Sequence, residues 1–595
     1  MSDSPTATNT TFIPPGTVIV GVVPLWGQTT PVILPIDRTT HVIGNSGNTA
    51  SVIGNSGVVA SVIGNSGVTA SVIGNSSVVA SIVGNSGVTA SVTANSGVPG
   101  VVSPSGGFVL GYVGDGGVTL NLHRQPPATA VSPPIAPAGD GKSILAWEDD
   151  PLNPILTVTG VPALGSVQIT HAQPIPGQYP PGSGEFRYWN AASALDRCLK
   201  FWQKIDADWT WKSGPQLPVH LDAGSDMNAY YDRRSLAFFH ADTRLGRVWS
   251  GESPDILCHE LGHAILDAIK PQLWNSANSE VVAFHEAFGD ISALMTGLTL
   301  KDLRNAVLDG TGGRLYRSSR LSRMAEQLGA AIRLDRPEEV DRDCMRNAVN
   351  PFVYADPMSL PHQATASRLS SEPHSFSRVF TGAYFEALAV LLAVSTPNEA
   401  DRPDRLLALA ERLSTLLVRS IRRAPVVSNF FAQIAAGMVR AAVADRDDQA
   451  AGVLRGVFIR RSILSVRSAT AASAWLALDD RYNQEPDTAA EAMPILIEAD
   501  QYGLDRPFGV EASSSPRAYA ASSASPEGWA LNPASSQTSA QSFMADIMRR
   551  GRVDFGDWKV PQLHLERLFT THKLVADGGV ALLHRKCFDC GLHGD

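Results

Sequence analysis

The sequence predicts an α+β chain in which a β-rich repeat segment precedes a mixed unit that ends in helices. Three observations carry this. Ten-residue repeats rich in β-branched residues fill 41–100. Strand-like alternation recurs in LPVHLDAG and NAYYDRRSLAFFHAD. From Pro254 to about Val466 the chain runs as long Ala/Leu-rich amphipathic stretches. The 595 residues leave room for roughly three or four domains.

Residues 1–40 form an N-terminal lead. From His41 to Gly100 come HVIGNSGNTA, SVIGNSGVVA, SVIGNSGVTA, SVIGNSSVVA, SIVGNSGVTA and SVTANSGVPG, six units that pair a GNSG-type turn with a VTASVI-type segment. This period suits short strands joined by tight turns, as a meander or a small stack. The Gly, Ser and Asn content equally suits a flexible spacer. No Asp, Glu, Lys or Arg occurs between Thr39 and Gly114, so the edges lack the charges that usually block strand-to-strand pairing. Self-association through the repeat is therefore a third expectation.

Residues 101–185 are rich in Gly and Pro, with β-like runs such as GGFVLGYV and NPILTVTGV, and read as an irregular β region or linker. Near Phe186 the pattern changes: FRYWNAASALDRCLKFWQKI has apolar residues at helical spacing, so a buried helix opens a lobe spanning 186–300. Residues 301–469 read as a helical lobe. Residues 470–595 read as an Ala/Ser-rich segment, loose in part, whose tail ends CFDCGLHGD.

A net charge of −9 lacks the basic surplus that phosphate contacts demand, which argues against nucleic acid as a partner. The run Ala387–Val394 is too short for the roughly 20 apolar residues of a bilayer crossing, so no membrane span is expected. The start MSDSPTATNTTFIPPG has neither a basic nor an apolar leader region; the expectation is a cytoplasmic location or export by a non-classical route. Five cysteines, Cys198, Cys258, Cys344, Cys587 and Cys590, are too few and too odd in number for a disulfide framework.

The stretch DILCHELGHAILDAIK carries the chemistry. His259 and His263 are four residues apart, so on a helix both project from one face and can grip one ion. Glu260 lies beside them, placed to act on a water rather than to bind the metal. Ile269 stands six residues after His263, which excludes the HExxHxxGxxH pattern. Downstream, SEVVAFHEAFGDISALM is a second amphipathic helix. Glu286, 23 residues past His263, is far enough on for the chain to turn back and present a carboxylate. Asp290 follows one turn later on the same face and can accept a hydrogen bond from a ligating imidazole.

Together, HELGHAILD and HEAFGD resemble the thermolysin-like (gluzincin) zinc metallopeptidases, over roughly 186–466. The resemblance implies a catalytic unit with a β-containing N-terminal lobe, zinc helices and an all-helical C-terminal lobe. It implies Zn²⁺ on His259, His263 and Glu286, with Asp290 behind a ligand and Glu260 as general base. It also implies that Asn228 and Ala229, in MNAYYDRRSLAFF, belong to an edge strand that pairs with substrate backbone. EPHSFSRVFTGAYFEALAVLL offers His374, ahead of a long helix, as the oxyanion-stabilising histidine; His362 is the competitor. The sequence departs from the family in having His285 before the third ligand, no tyrosine between the zinc helix and Glu286, and no recognisable calcium-binding acidic clusters.

Cys258, next to His259, reads as a small buried side chain. The spacing of His584, Cys587, Cys590 and His593 reads either as a small zinc clip or as plain thiols. The expected function is zinc-dependent hydrolysis of internal bonds in peptide or protein substrates. The alternative is a structural or self-assembling repeat protein with a degenerate peptidase domain.

Overall fold

A computed structural model describes the backbone of short strands between Val22 and Leu122 and the chain from 141 to 591. The latter omits 396–400, 475–493, 499, 503, 505–506, 515–520, 526, 557–568 and 578–579. The chain divides into two units, Met1–Ile135 and Ala136–Asp595.

In the first unit the strands are β1 (Val22–Leu25), β2 (Thr39–Gly44), β3 (Thr49–Gly54), β4 (Val58–Gly64), β5 (Thr69–Gly74), β6 (Val78–Gly84), β7 (Thr89–Ala94) and β8 (Thr119–Leu122). They form two sheets, β1-β2-β4-β6 and β3-β5-β7-β8, with every pairing parallel. A meander would pair neighbours antiparallel. Here successive strands belong alternately to the two sheets, so Val42 pairs with Val62 and Val52 with Val72. The repeat in sequence is ten residues; the repeat in space is twenty.

The second unit is mixed helix and sheet. It opens with β9 (Ser143–Trp147), β10 (Leu156–Gly160) and β11 (Val167–Ile169), all within 101–185, the stretch expected to be an irregular β region or linker. Strands β9 and β11 contribute to the core, whereas β10 is largely exposed: Trp147 packs edge-on against Phe186, and β11 pairs with β12 (Leu217–His220). Helix α1 (Gly184–Ile205) is capped by Ser183, whose hydroxyl accepts from the Phe186 amide at 3.1 Å. Strands β13 (Ala229–Tyr231) and β14 (Leu236–Phe238) follow, then the hairpin β15 (His240–Thr243) and β16 (Gly246–Trp249).

Helices α2 (Pro254–Ile269) and α3 (Ser279–Gly297) form the centre, followed by α4 (Lys301–Thr311), β17 (Arg323–Met324), α5 (Glu326–Arg333) and β18 (Arg346–Asn347). The lobe 301–469 is thus not all-helical: β17 and β18 pair antiparallel, a turn of chain that brings Arg346 beneath α3. Helices α6 (Pro373–Ser395), α7 (Arg402–Arg423), α8 (Phe430–Ala444), α9 (Asp448–Arg460) and α10 (Val466–Ala474) complete the helical region. By length and composition α6 is the described helix able to cross a membrane, and 78% of its apolar window is buried inside the fold. Phe284 of α3, Phe376 and Phe380 of α6, and Phe430 and Phe431 of α8 interlock in the core.

The described residues after 470 include strands and a helix. Strands β19 (Pro494–Ile497) and β20 (Phe508–Glu511), helix α11 (Ser536–Arg549), and β21 (Val553–Asp554), β22 (His572–Asp577) and β23 (Val580–Arg585) build a sheet of order β19-β20-β23-β22-β21. The last strand, β24 (Phe588–Asp589), leaves that sheet and joins another, β11-β12-β14-β13-β24.

Candidate metal centre

Proline at the first turn starts α2 without losing a hydrogen bond, and Asn278 caps α3 by accepting from the Glu280 amide at 2.9 Å. The two helices touch through glycines. A Cβ on Gly262 would stand 2.7 Å from the Ser292 hydroxyl, and one on Gly289 would stand 2.7 Å from the His259 ring. Only because both positions lack a side chain do the HELGH and HEAFGD faces meet. Asp267, later on α2, ties the helix to β13: Tyr231 donates to it at 3.0 Å, and Arg233 donates to both its oxygens at 2.9 and 2.6 Å.

At the crossing, His259 Nε2 lies 3.3 Å and His263 Nε2 lies 3.7 Å from Glu286 Oε2, and all three residues are buried. None of these three atoms has a hydrogen-bond partner. Orphaned buried polar atoms cost about 1–3 kcal/mol each, so three converging ones call for a shared partner that accepts lone pairs. A metal ion meets that need, and this group of residues could hold one. Behind it, His259 Nδ1 is 3.0 Å from Asp290 Oδ1, and Arg346 grips both Asp290 oxygens at 2.7 and 3.2 Å.

The electrostatics point the same way. Burial pulls the His259 imidazole down, yet Asp290 and Glu286 carry it up to about 9. Burial pushes His263 down to about 3. Burial would also raise Asp290, but Arg346 and His259 hold it down at about 2. Two adjacent imidazoles thus differ in charge state around one carboxylate, and a cation at the crossing would take the place of that proton. Glu260, fully buried, is raised by desolvation to about 8.

His374 stands in the first turn of α6 with Nε2 3.1 Å from Glu286 Oε2. Its Nδ1 is 2.8 Å from Glu372 Oε1 and its Nε2 donates to the Asp589 carbonyl at 2.7 Å. Burial opposes the charged ring, but Glu286 and Glu372 keep its pKa well above the ordinary value, so both nitrogens donate. His362, the competitor, pairs with Asp546 at 2.8 Å and has no part in the metal group. His285 stays out of the metal group; its ring stacks on Phe588, centroids 4.0 Å apart.

Ala229 opens β13 and Asn228 immediately precedes it, but β13 is not the edge strand that the resemblance implies. Strand β24 pairs antiparallel with it, placing Asp589 opposite Tyr230 and Phe588 opposite Tyr231. The Cys590 amide donates to the Ala229 carbonyl at 2.9 Å, and the Gly591 amide to Asn228 Oδ1 at 2.8 Å. His259, Glu260 and Cys590 bring ligand atoms within 4.8 Å of one another. Cys587 and Cys590 therefore make no separate zinc clip among the described residues; His593 lies outside them. Cys258 is a buried thiol, with Sγ 3.7 Å from the Ala194 carbonyl.

Sequence reading missed Gly262, Gly289, Arg346 and Glu372, and gave Cys590 no place beside His259 and Glu260. A second feature it missed is a buried acidic cluster assembled from distant segments: Asp149 and Asp150 with Asp255 and Glu326. Comparison of the sequence with protein-family models and with curated proteins returns no match.

Proposed function

We propose that this chain is a zinc-dependent metallopeptidase of the thermolysin-like kind, cutting internal bonds of peptide or protein substrates. The observation that carries the reading is the convergence of His259, His263 and Glu286, with Glu260 and His374 close by, beside a strand that takes a segment of the chain by β-pairing. Two imidazoles and one carboxylate are a donor set that suits zinc and leaves a coordination position open. An ion held there acts as a Lewis acid toward water and a carbonyl oxygen.

The chain's own residues supply the rest. Strand β13 and Asn228 hold the peptide backbone extended, as they hold Cys590 and Gly591. Glu260 takes a proton from the attacking water and delivers it to the leaving amine. The His374 imidazolium donates to the carbonyl oxygen on which negative charge develops, a contribution of a few kcal/mol for one such donor. Asp290 fixes the His259 tautomer, and Arg346 keeps Asp290 ionised.

The test compares wild type with Glu260→Gln on a casein substrate, each as the full chain and truncated after Lys586 to free the groove of β24. Metal content is measured on the same samples. Activity should fall about 10²–10⁴-fold in the variant with one zinc retained. Equal activity in both forms, or a folded protein without stoichiometric metal, sinks the reading. A second reading concerns the repeat: its in-register parallel pairing and uncharged stretch favour self-association, which deletion of residues 41–100 should abolish in light scattering.

A further inference from the structure

The open side of β13 is filled by a segment of the same chain, held as a peptide substrate would be. Its backbone is gripped at three consecutive residues. The Asp589 carbonyl accepts from His374 Nε2 at 2.7 Å, the Cys590 amide donates to the Ala229 carbonyl at 2.9 Å, and the Gly591 amide donates to Asn228 Oδ1 at 2.8 Å. The side chains are housed as well. Phe588 lies flat on His285 and 5.0 Å from the ring centre of His263, with the Arg585 guanidinium 4.2 Å from its own ring centre. The Asp589 carboxylate is 3.6 Å from Arg552 Nη1. Cys590 is 2% exposed, its sulfur close to both His259 and Glu260.

We infer that Phe588–Gly591 is the built-in occupant of the substrate groove, held in substrate register with the Asp589–Cys590 peptide at the reacting position, and that the folded chain is therefore latent. The inference rests on the metallopeptidase reading above. The carbonyl that His374 contacts belongs to Asp589, which places the next peptide nitrogen, that of Cys590, on the leaving side. The bond is nevertheless protected. The Cys590 sulfur lies beside Glu260 and a metal-ligand histidine, in the space where the base needs a water. Because the occupant is tethered, an added peptide competes against an effective concentration on the order of millimolar.

Binding of a dipeptide hydroxamate tests this without relying on turnover. Three zinc-loaded proteins are compared by calorimetry: the full chain, a truncation after Lys586, and Cys590→Pro. The proline removes the amide that donates to Ala229 while leaving Phe588 anchored, so it covers the case in which truncation unfolds the protein. Both variants should bind the hydroxamate at least ten-fold tighter than the full chain and show a matching gain in peptide hydrolysis. Equal affinity in folded full chain and Cys590→Pro overturns the occupied groove while leaving the metal site standing. Zinc-loaded variants that bind no hydroxamate overturn the metallopeptidase reading itself. Intact mass of the zinc-loaded full chain should stay unchanged; loss of residues 590–595 would overturn latency.

Discussion

Gly289 lies so close beneath the His259 imidazole that a Cβ there would stand 2.7 Å from its Nδ1 and Cε1 atoms. The contact sets where the ring sits relative to Glu286 and Asp290, because α2 and α3 cross at this point. Alanine would add roughly 1 kcal/mol of helix propensity. A clash below 3 Å against a ring wedged between two carboxylates outweighs it. Gly289→Ala should therefore weaken zinc binding about 10–100-fold, read by competition with a chromophoric chelator. Unchanged affinity would show that the ring position does not depend on the glycine.

Arg346 makes two parallel bonds to Asp290, at 2.7 and 3.2 Å, and both side chains are almost fully buried. Arg346→Leu would strand a buried carboxylate, a change that costs on the order of 3–5 kcal/mol of stability. Arg346→Lys keeps the charge but loses the fork geometry, so it should keep the fold and still lower metal affinity about ten-fold. Thermal melts and chelator competition on the two variants separate these effects.

The parts of this site that were legible in sequence are those whose geometry a helix fixes locally. His259 and His263 share a face because of the four-residue spacing, and Asp290 follows Glu286 for the same reason. Arg346 meets Asp290 from 56 residues away, through a two-residue strand with no periodicity to betray it. Cys590 reaches the site from the far end of the chain, and its CxxC spacing points to a local partner that the fold does not use. The strands after 470 were hidden for a compositional reason: short runs such as FGVE sit among Ala and Ser residues that give no period to read. In the repeat, a ten-residue period fixes strand and turn lengths but leaves the partner strand open. Only the pairing shows that partners lie twenty residues apart.

The acidic cluster away from the metal centre predicts a pH dependence. Desolvation raises Glu326 to about 8 and Asp150 to about 6, although Arg323 donates to Glu326 at 2.5 Å. A carboxyl whose folded pKa exceeds its unfolded value stabilises the fold when protonated. That contribution is complete below about 4.5 and is lost as pH rises through about 8. Glu326→Gln removes the titration. The variant should melt above wild type at pH 8, by an amount on the order of 2 kcal/mol, and the difference should shrink as pH falls to 5. Scanning calorimetry at both pH values reads it; a difference independent of pH would mean that Glu326 does not titrate in this window.

Arg552 and Asp589 bear on what the groove prefers. The carboxylate of Asp589 lies 3.6 Å from Arg552 Nη1, with 7% and 9% of the two side chains exposed, so water screens the pair only weakly. An external peptide that replaces the tail meets the same guanidinium at the residue before its scissile bond. In the truncated, groove-open form, peptides carrying Phe-Asp ahead of that bond should be cut faster than Phe-Lys peptides, by about ten-fold in kcat/KM. Substituting Arg552→Glu should invert the order, because the lysine then gains the partner and the aspartate meets a like charge. Measuring both peptides on both proteins separates this from a general loss of activity: a structural defect lowers all four values together, whereas the pairing predicted by Arg552 and Asp589 makes the two ratios cross.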